Sequence, residues 1–177
     1  KRVFPLQVAE KGLSWIRVVV EGEGGHGSVG ASGRSVPERL TAIAKGLKRV
    51  RFPLVPVPTA QAELRALADV AGGAAGFVLR RLAAGTGSAL LLNTVVPKGQ
   101  RSWLRSTLSD TLQVTGIRCG ERINVMPSRG ELFIDGRVLP THLPEHLMDA
   151  VARIVSRIDP GARVEPVTLE RGHATPY

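Results

Sequence analysis

Ile16, Val18 and Val20 alternate with Arg17 and Glu21, the period-two pattern of a strand with one buried face. Beyond Ser35 the period changes. Val36, Leu40, Ile43, Ala44 and Leu47 recur at helical spacing, leaving Arg39, Lys45, Lys48 and Arg49 toward water. Ser35-Val-Pro37-Glu38 opens this helix as a capping box, in which a hydroxyl and a carboxylate satisfy free amides reciprocally. Phe52-Pro-Leu-Val-Pro-Val-Pro58 cannot extend it, because each proline removes a donor and restrains the residue before it. A linker is expected there. Thr59 is expected to cap a short helix carrying Leu64 and Leu67, and a second helix after Gly72-Gly73 carries Phe77, Val78 and Leu82. Alanine and glycine dominate this stretch, so its own apolar burial is modest.

A strand pattern returns from Leu108 to Val114, with Leu108, Leu112 and Val114 on one face and Thr111, Gln113 and Thr115 on the other. Gly116 and Gly120 are expected to flank a turn, and Ile123 to Met126 reads as extended. Leu132, Ile134 and Val138 alternate with Phe133, Asp135 and Arg137, and Ser128-Arg129-Gly130 is expected to join these last two segments as a hairpin. From Leu143 onward Leu147, Val151, Ile154, Val155 and Ile158 form a second amphipathic helix, stopped by Asp159-Pro160-Gly161, and Ala162 to Leu169 supplies a final strand. The order gives an α+β fold: a ferredoxin-like β-α-β-β-α-β sandwich, antiparallel sheet with helices on one face. A single domain over residues 1–177 is expected, with a helical insertion at about 53–101.

Composition narrows the class. A chain of 177 residues that is 43% hydrophobic suits one globular core, and no apolar run approaches the roughly 20 residues that span a bilayer. No membrane partner is expected. Cys119 is the only cysteine, so no internal disulfide forms, an oxidising compartment is not required and a cytoplasmic setting is favoured. The net charge of +9 admits nucleic acid or an acidic substrate as partner. Scattered surface charge is preferred over nucleic-acid binding, because aromatics are only 4% of the chain and the hairpin offers Phe133 alone for base stacking.

The first strand pours into Gly22-Glu-Gly24-Gly25-His26-Gly27-Ser28. The glycines allow positive φ and close approach, so His26 can meet a substrate. The run fits the dinucleotide fingerprint G-x-G-x-x-G, but that turn must feed directly into its helix, and here the capping box waits until Ser35. His142-Leu-Pro-Glu145-His146 fits the inverted zinc-peptidase pattern H-x-x-E-H, which needs one continuous helix. Pro144 instead places it at a helix start, with Thr141 or His142 as the cap and Glu145 complementing the dipole.

The glycine loop, read with Val8-Ala9-Glu10-Lys11-Gly12, Ile123-Asn124-Val125-Met126-Pro127-Ser128 and Asp135-Gly136-Arg137-Val138-Leu139-Pro140, resembles the lid, or dimerisation, domain of the M20 family of metallopeptidases. These pieces bracket nearly the whole chain. The resemblance implies the same ferredoxin-like topology and a separate catalytic domain holding two metal ions, usually zinc. The family's metal-ligand motifs do not occur here, so the fragment binds no cofactor of its own and is expected not to hydrolyse anything alone. The resemblance makes His26 the catalytic candidate, stabilising the oxyanion of a tetrahedral intermediate. It makes Arg137 and Asn124 substrate-binding candidates for carboxylate or carbonyl groups, a use for which a guanidinium fork is suited. The alternative for Arg137 is a surface pair with Asp135, with Asn124 closing a turn. Ser28 and the amides of Gly25 and Gly27 are further substrate-binding candidates.

The implied function is that of a lid closing over a peptide or N-acyl amino acid in a zinc-dependent exopeptidase, carboxypeptidase or amidohydrolase. Its partners would be its own catalytic domain and either a second lid in a homodimer, across which the histidine acts, or, in a monomer, the insertion standing in for that second lid. Gly172 to Tyr177 would be the hinge toward the catalytic domain. The alternatives are a non-catalytic dimerisation or interaction module and a basic nucleic-acid backbone binder.

Overall fold

The computed structural model describes residues 7–85 and 88–175. Pro176 and Tyr177, the end of the expected hinge, lie outside the described residues. In chain order the elements are β1 (Ala9–Glu10), β2 (Gly12–Glu21), β3 (Gly25–His26), α1 (Val36–Lys48), α2 (Pro58–Ala71), α3 (Gly73–Ala83), α4 (Ser88–Thr94), α5 (Lys98–Leu108), β4 (Thr111–Cys119), β5 (Val125–Met126), β6 (Arg129–Val138), α6 (Pro144–Ile158), β7 (Arg163–Glu170) and β8 (His173–Ala174).

The main sheet has the order β4-β6-β2-β7, and every neighbouring pair is antiparallel. This is the expected split β-α-β arrangement. Alternation along β2 and β6 sends Ile16, Val18, Val20, Leu132, Ile134 and Val138 to one face, where they meet Val36, Leu40, Ile43 and Leu47 of α1 and Leu147, Val151 and Val155 of α6. At about 25 cal/mol per Å² of apolar surface removed from water, this shared burial holds both helices to the sheet. The opposite face carries Trp15, Arg17, Phe133, Asp135 and Arg137, which are exposed or half-buried. At the head of α1, Glu38 accepts from both the amide and the hydroxyl of Ser35, each at 2.8 Å, so the box read from the sequence caps the helix.

The stretch between α1 and β4 is more helical than its composition announces. It holds four helices, running on past Arg101 to Leu108, around a second core of Val57, Leu64, Leu82, Leu92, Leu104 and Leu108 that closes on Leu139 beyond the end of β6. Val57 rather than Thr59 is the N-cap of α2, because Pro58, lacking an amide to satisfy, occupies the first helical position. Phe77 is exposed instead of sharing the core with Val78 and Leu82.

Three expectations along the chain are corrected. Leu108 ends α5 instead of opening a strand, since its side chain belongs to the helical core, and β4 begins at Thr111. Gly116 lies inside β4 opposite Phe133, where the register shifts by a bulge, so no turn starts there. The segment Ile123 to Met126 does not pair with β6 through Ser128-Arg129-Gly130. Arg129 already begins β6, and β5 pairs with β3.

The chain enters and leaves the sandwich side by side through the β1–β8 ribbon, Ala9 opposite Ala174. Gly12 and Gly172 are required there: a Cβ on Gly172 would lie 2.6 Å from the Glu10 carbonyl oxygen and 2.7 Å from the Gly12 nitrogen. Only glycine lets the two backbones cross so closely.

Candidate substrate-contact site

The glycine loop leaves β2 at Glu21 and folds over the β4–β6 connection. Gly22 donates to Ser128 O at 2.9 Å and Gly27 to Asn124 O at 2.8 Å, and between them Gly25 pairs with Met126 and His26 with Val125. The result is a two-stranded ribbon that brings His26, Ser28, Gly25, Gly27 and Asn124 together at one end of the sheet. None of the loop glycines 22, 24, 25 and 27 adopts positive φ, contrary to the sequence-based expectation. They serve close approach instead: a Cβ on Gly24 would sit 3.0 Å from that of Ser128, and one on Gly25 would sit 3.2 Å from Met126 Cε. The Gly27 amide is spent on Asn124, so it has no free hydrogen for a ligand.

Every residue from Glu21 to Arg34 is exposed, and His26 is oriented from within the loop. Its Nδ1 lies 2.7 Å from Ser28 Oγ and 3.3 Å from the Ser28 amide nitrogen. An amide can only donate, so in the neutral ring Nδ1 is the acceptor and the proton sits on Nε2. The imidazole thus presents an N–H donor outward. Ser28 orients the ring.

Arg137 lies at the other end of the same sheet. Its register partner on β2 is Leu13, whereas Glu21, from which the His26 loop springs, pairs with Arg129. From position 137 to 129 at about 3.3 Å per residue, the two ends stand roughly 26 Å apart. Arg137 donates to Asp135 through Nε at 2.8 Å and Nη2 at 3.3 Å, so the surface pair considered from the sequence exists. Asp135 Oδ1 also accepts from Trp15 Nε1 at 3.0 Å. Trp15 was not legible as part of this group, because its opposition to Asp135 depends on strand register.

The Arg137 end, expected from the sequence to be the hinge end, holds further polar residues. Lys11 donates to the Ser109 carbonyl at 2.6 Å, and burial, the largest influence, lowers its pKa to about 8 against the pull of Asp110, with Arg137 lowering it further. Asp110 accepts from the Leu139 amide at 2.8 Å and meets His142 Nδ1 at 2.8 and 2.9 Å. A cavity of about 970 Å³ lies beside them, between the β1 ribbon and α2. His142 precedes α6 and neither it nor Thr141 caps it; the N-cap is Leu143. The H-x-x-E-H run therefore lacks the continuous helix that its zinc reading needs. Among the described residues no three His, Cys, Asp or Glu side chains come together to hold a metal ion.

Between the two ends the open face is charge-paired. Arg17 meets Glu165 at 2.7 Å, Arg129 meets Glu131 at 3.0 Å and Arg163 meets Glu21 at 2.9 Å. Arg118 stands 5.3 Å over the Phe133 ring. These arginines thus have their partners on the face itself. No helix among the described residues is long and apolar enough to cross a membrane.

No curated protein matches the chain. Among solved structures, human carnosine dipeptidase 1 superposes with a TM-score of 0.62 at 12% identity, over 96% of this chain and 38% of its own. The dipeptidase Dug1p of Saccharomyces cerevisiae gives 0.63 at 13% identity, over 94% and 37%. An M20 family metallo-carboxypeptidase from Sulfolobus solfataricus gives 0.57 at 16%, over 96% and 39%. The chain spans under two-fifths of the length of each, and at these identities the likeness is one of fold. The model of the peptidase dimerisation domain of the M20 family matches residues 8–163. The chain belongs to that family of M20 peptidase dimerisation domains.

Proposed function

We propose that this chain is the lid of a metal-dependent exopeptidase or amidohydrolase, and that it closes over a peptide or N-acyl amino acid carrying a free carboxylate. His26 donates its Nε2–H to the oxygen that becomes negative as the scissile carbonyl turns tetrahedral. Asn124, held against the same ribbon, offers its side chain to the carbonyl region. Gly25 and Gly27 provide the ribbon's close approach, and Ser28 sets the imidazole. Arg137 takes the carboxylate through its guanidinium. The two zinc ions expected for such an enzyme, and the nucleophile, belong to a catalytic domain outside this chain, reached through the β1–β8 ribbon.

The observation that carries this reading is that Arg137 lies at one end of the main sheet and the root of the His26 loop at the other, roughly 26 Å of strand apart. That exceeds the span of a dipeptide several-fold, taking about 3.4 Å per extended residue, so on this reading His26 and Arg137 of one chain do not meet on one small substrate. Those of two copies can. We infer a homodimer in which His26 of one copy completes the site that contains Arg137 of the other. Domains of this kind pair symmetrically, so each copy both gives and receives a histidine.

Mixing two inactive full-length variants tests it. His26→Ala and Arg137→Ala should each lose activity on carboxylate substrates. Co-refolded heterodimers should regain it, since one of their two sites has an intact histidine and an intact arginine. No recovery in a demonstrated heterodimer would overturn the shared site.

A further inference from the structure

Guanidinium groups on an open sheet face sample many rotamers, and ordering one costs entropy that binding must repay. Arg137, like Arg17 and Arg163 on this face, is held by a carboxylate, and here that carboxylate is itself fixed. Asp135, two residues back and on the same face, takes the hydrogens of Nε and one of Nη2 at 2.8 and 3.3 Å. Asp135 is itself fixed from the neighbouring strand by the indole N–H of Trp15, its direct register partner, at 3.0 Å. Trp15 stays 41% exposed while making this bond. A guanidinium has five N–H donors. Two are used here, and the pair pointing along the end of the fork, one on Nη1 and one on Nη2, is left to meet two oxygens in one plane.

We propose that Trp15 and Asp135 are positioning residues that hold Arg137 with its outer fork presented, so that the site reads a planar carboxylate and discriminates against single-atom anions. This rests on the reading that Arg137 meets the substrate carboxylate. The Asp135 charge offsets that of Arg137, so attraction at long range is weak and geometry carries the selection. Lys11, which feels the Arg137 charge, spends one of its three ammonium hydrogens on Ser109 O.

The test uses the full-length enzyme and two substrates identical except that one ends in a free carboxylate and the other in a carboxamide. Trp15→Phe keeps every charge and removes only the indole donor. The ratio of kcat/KM between the two substrates should fall about threefold, chiefly through KM of the carboxylate substrate. Asp135→Asn should lower the ratio about tenfold, the scale of one hydrogen bond to a charged group, and should make the enzyme sensitive to competitive inhibition by chloride. If Arg137→Ala abolishes the discrimination while Trp15→Phe and Asp135→Asn leave it intact, the positioning role is overturned and the carboxylate reading stands. If Arg137→Ala leaves the discrimination intact, the carboxylate reading is the one that fails, and the proposal with it. Equal losses on both substrates, together with a lowered Tm, would show a merely structural group and also overturn the proposal.

Discussion

The two ends of the main sheet solve the problem of presenting a side chain in opposite ways. At the loop end, His26 rides on an exposed ribbon of two residues per strand, tied to the sheet by main-chain bonds such as Gly22 to Ser128 and Gly27 to Asn124. At the hinge end, Arg137 is clamped by Asp135 and Trp15 beside the crossing of Gly12 and Gly172. One end has reach and little support, and the other has support and little reach. A group that must cross to another copy and meet a charge that exists only during the reaction benefits from projecting. A group that must recognise a stable ground-state carboxylate benefits from being prearranged.

The sharpest break of this contrast is His26→Ala in the full-length enzyme. A donor aimed at a developing oxyanion is worth about 3 kcal/mol of barrier, roughly a hundred-fold in rate. The loss should fall on kcat, with KM and metal content nearly unchanged, because the ground-state carbonyl gains little from that donor. Steady-state kinetics with metal analysis checks it. A purely KM effect would make His26 a ground-state binder and erase the distinction between the two ends.

Most of the fold was legible because alternation and helical spacing are local. β2, α1, β6 and α6 each announce a buried face, and the Ser35 box marks a helix start that the structure keeps. What misled was what depends on partners. Leu108 looked like a strand residue because it continues an apolar alternation, yet it belongs to a helical core assembled from four segments. Val125 and Met126 looked like half of a hairpin with β6, but the glycine loop competes for them and wins. Within the site, His26 stood out by its glycines, while Arg137 was pointed to by the family resemblance, with Asp135 as its possible surface partner. Trp15 did not, since nothing in its neighbourhood announces a partner 120 positions away. The placing of Arg137 and the root of the His26 loop at opposite ends of the sheet likewise follows only from register.

The root of the loop end offers the next largest effect. Arg39 on α1 meets Asp159 through two bonds of 2.7 Å and also donates to the carbonyl of Glu21, the last residue before the loop. The Asp159 side chain is 8% exposed and that of Arg39 19%. The Arg39 guanidinium is the main reason the Asp159 carboxyl titrates below the ordinary range. Asp159→Asn should cost about 2 kcal/mol near neutrality, as breaking a largely buried pair strands the remaining charge. Because the folded pKa is depressed, the stabilisation is present above the unfolded value near 3.8 and is lost as pH falls through the folded value. The variant should therefore lose its difference from the parent in strong acid. Urea unfolding at pH 7 and pH 3 reads this directly. If the loop end depends on this root, kcat should fall in the same variant while carboxylate discrimination at the hinge end is kept.

Lys11 gives the smallest effect and probes the opposite end. Its pKa lies at about 8 in the folded chain against an ordinary 10.5, chiefly because burial disfavours the ammonium. Below pH 8 both folded and unfolded states carry the proton, and the cost of burying it is present in full. Between about pH 8 and 10.5 the unfolded chain holds more protons than the folded one, so stability rises with pH across that window. The side chain is only partly shielded from water, so the rise should be modest. Lys11→Met should remove it, leaving urea midpoints that no longer climb from pH 7.5 to pH 10 relative to the parent. A slope that survives the substitution would place the titrating group elsewhere. A slope that vanishes while Arg137 selectivity is unchanged would separate the electrostatics of the hinge from the clamp beside it, since Lys11 senses the Arg137 charge without sharing its hydrogen bonds.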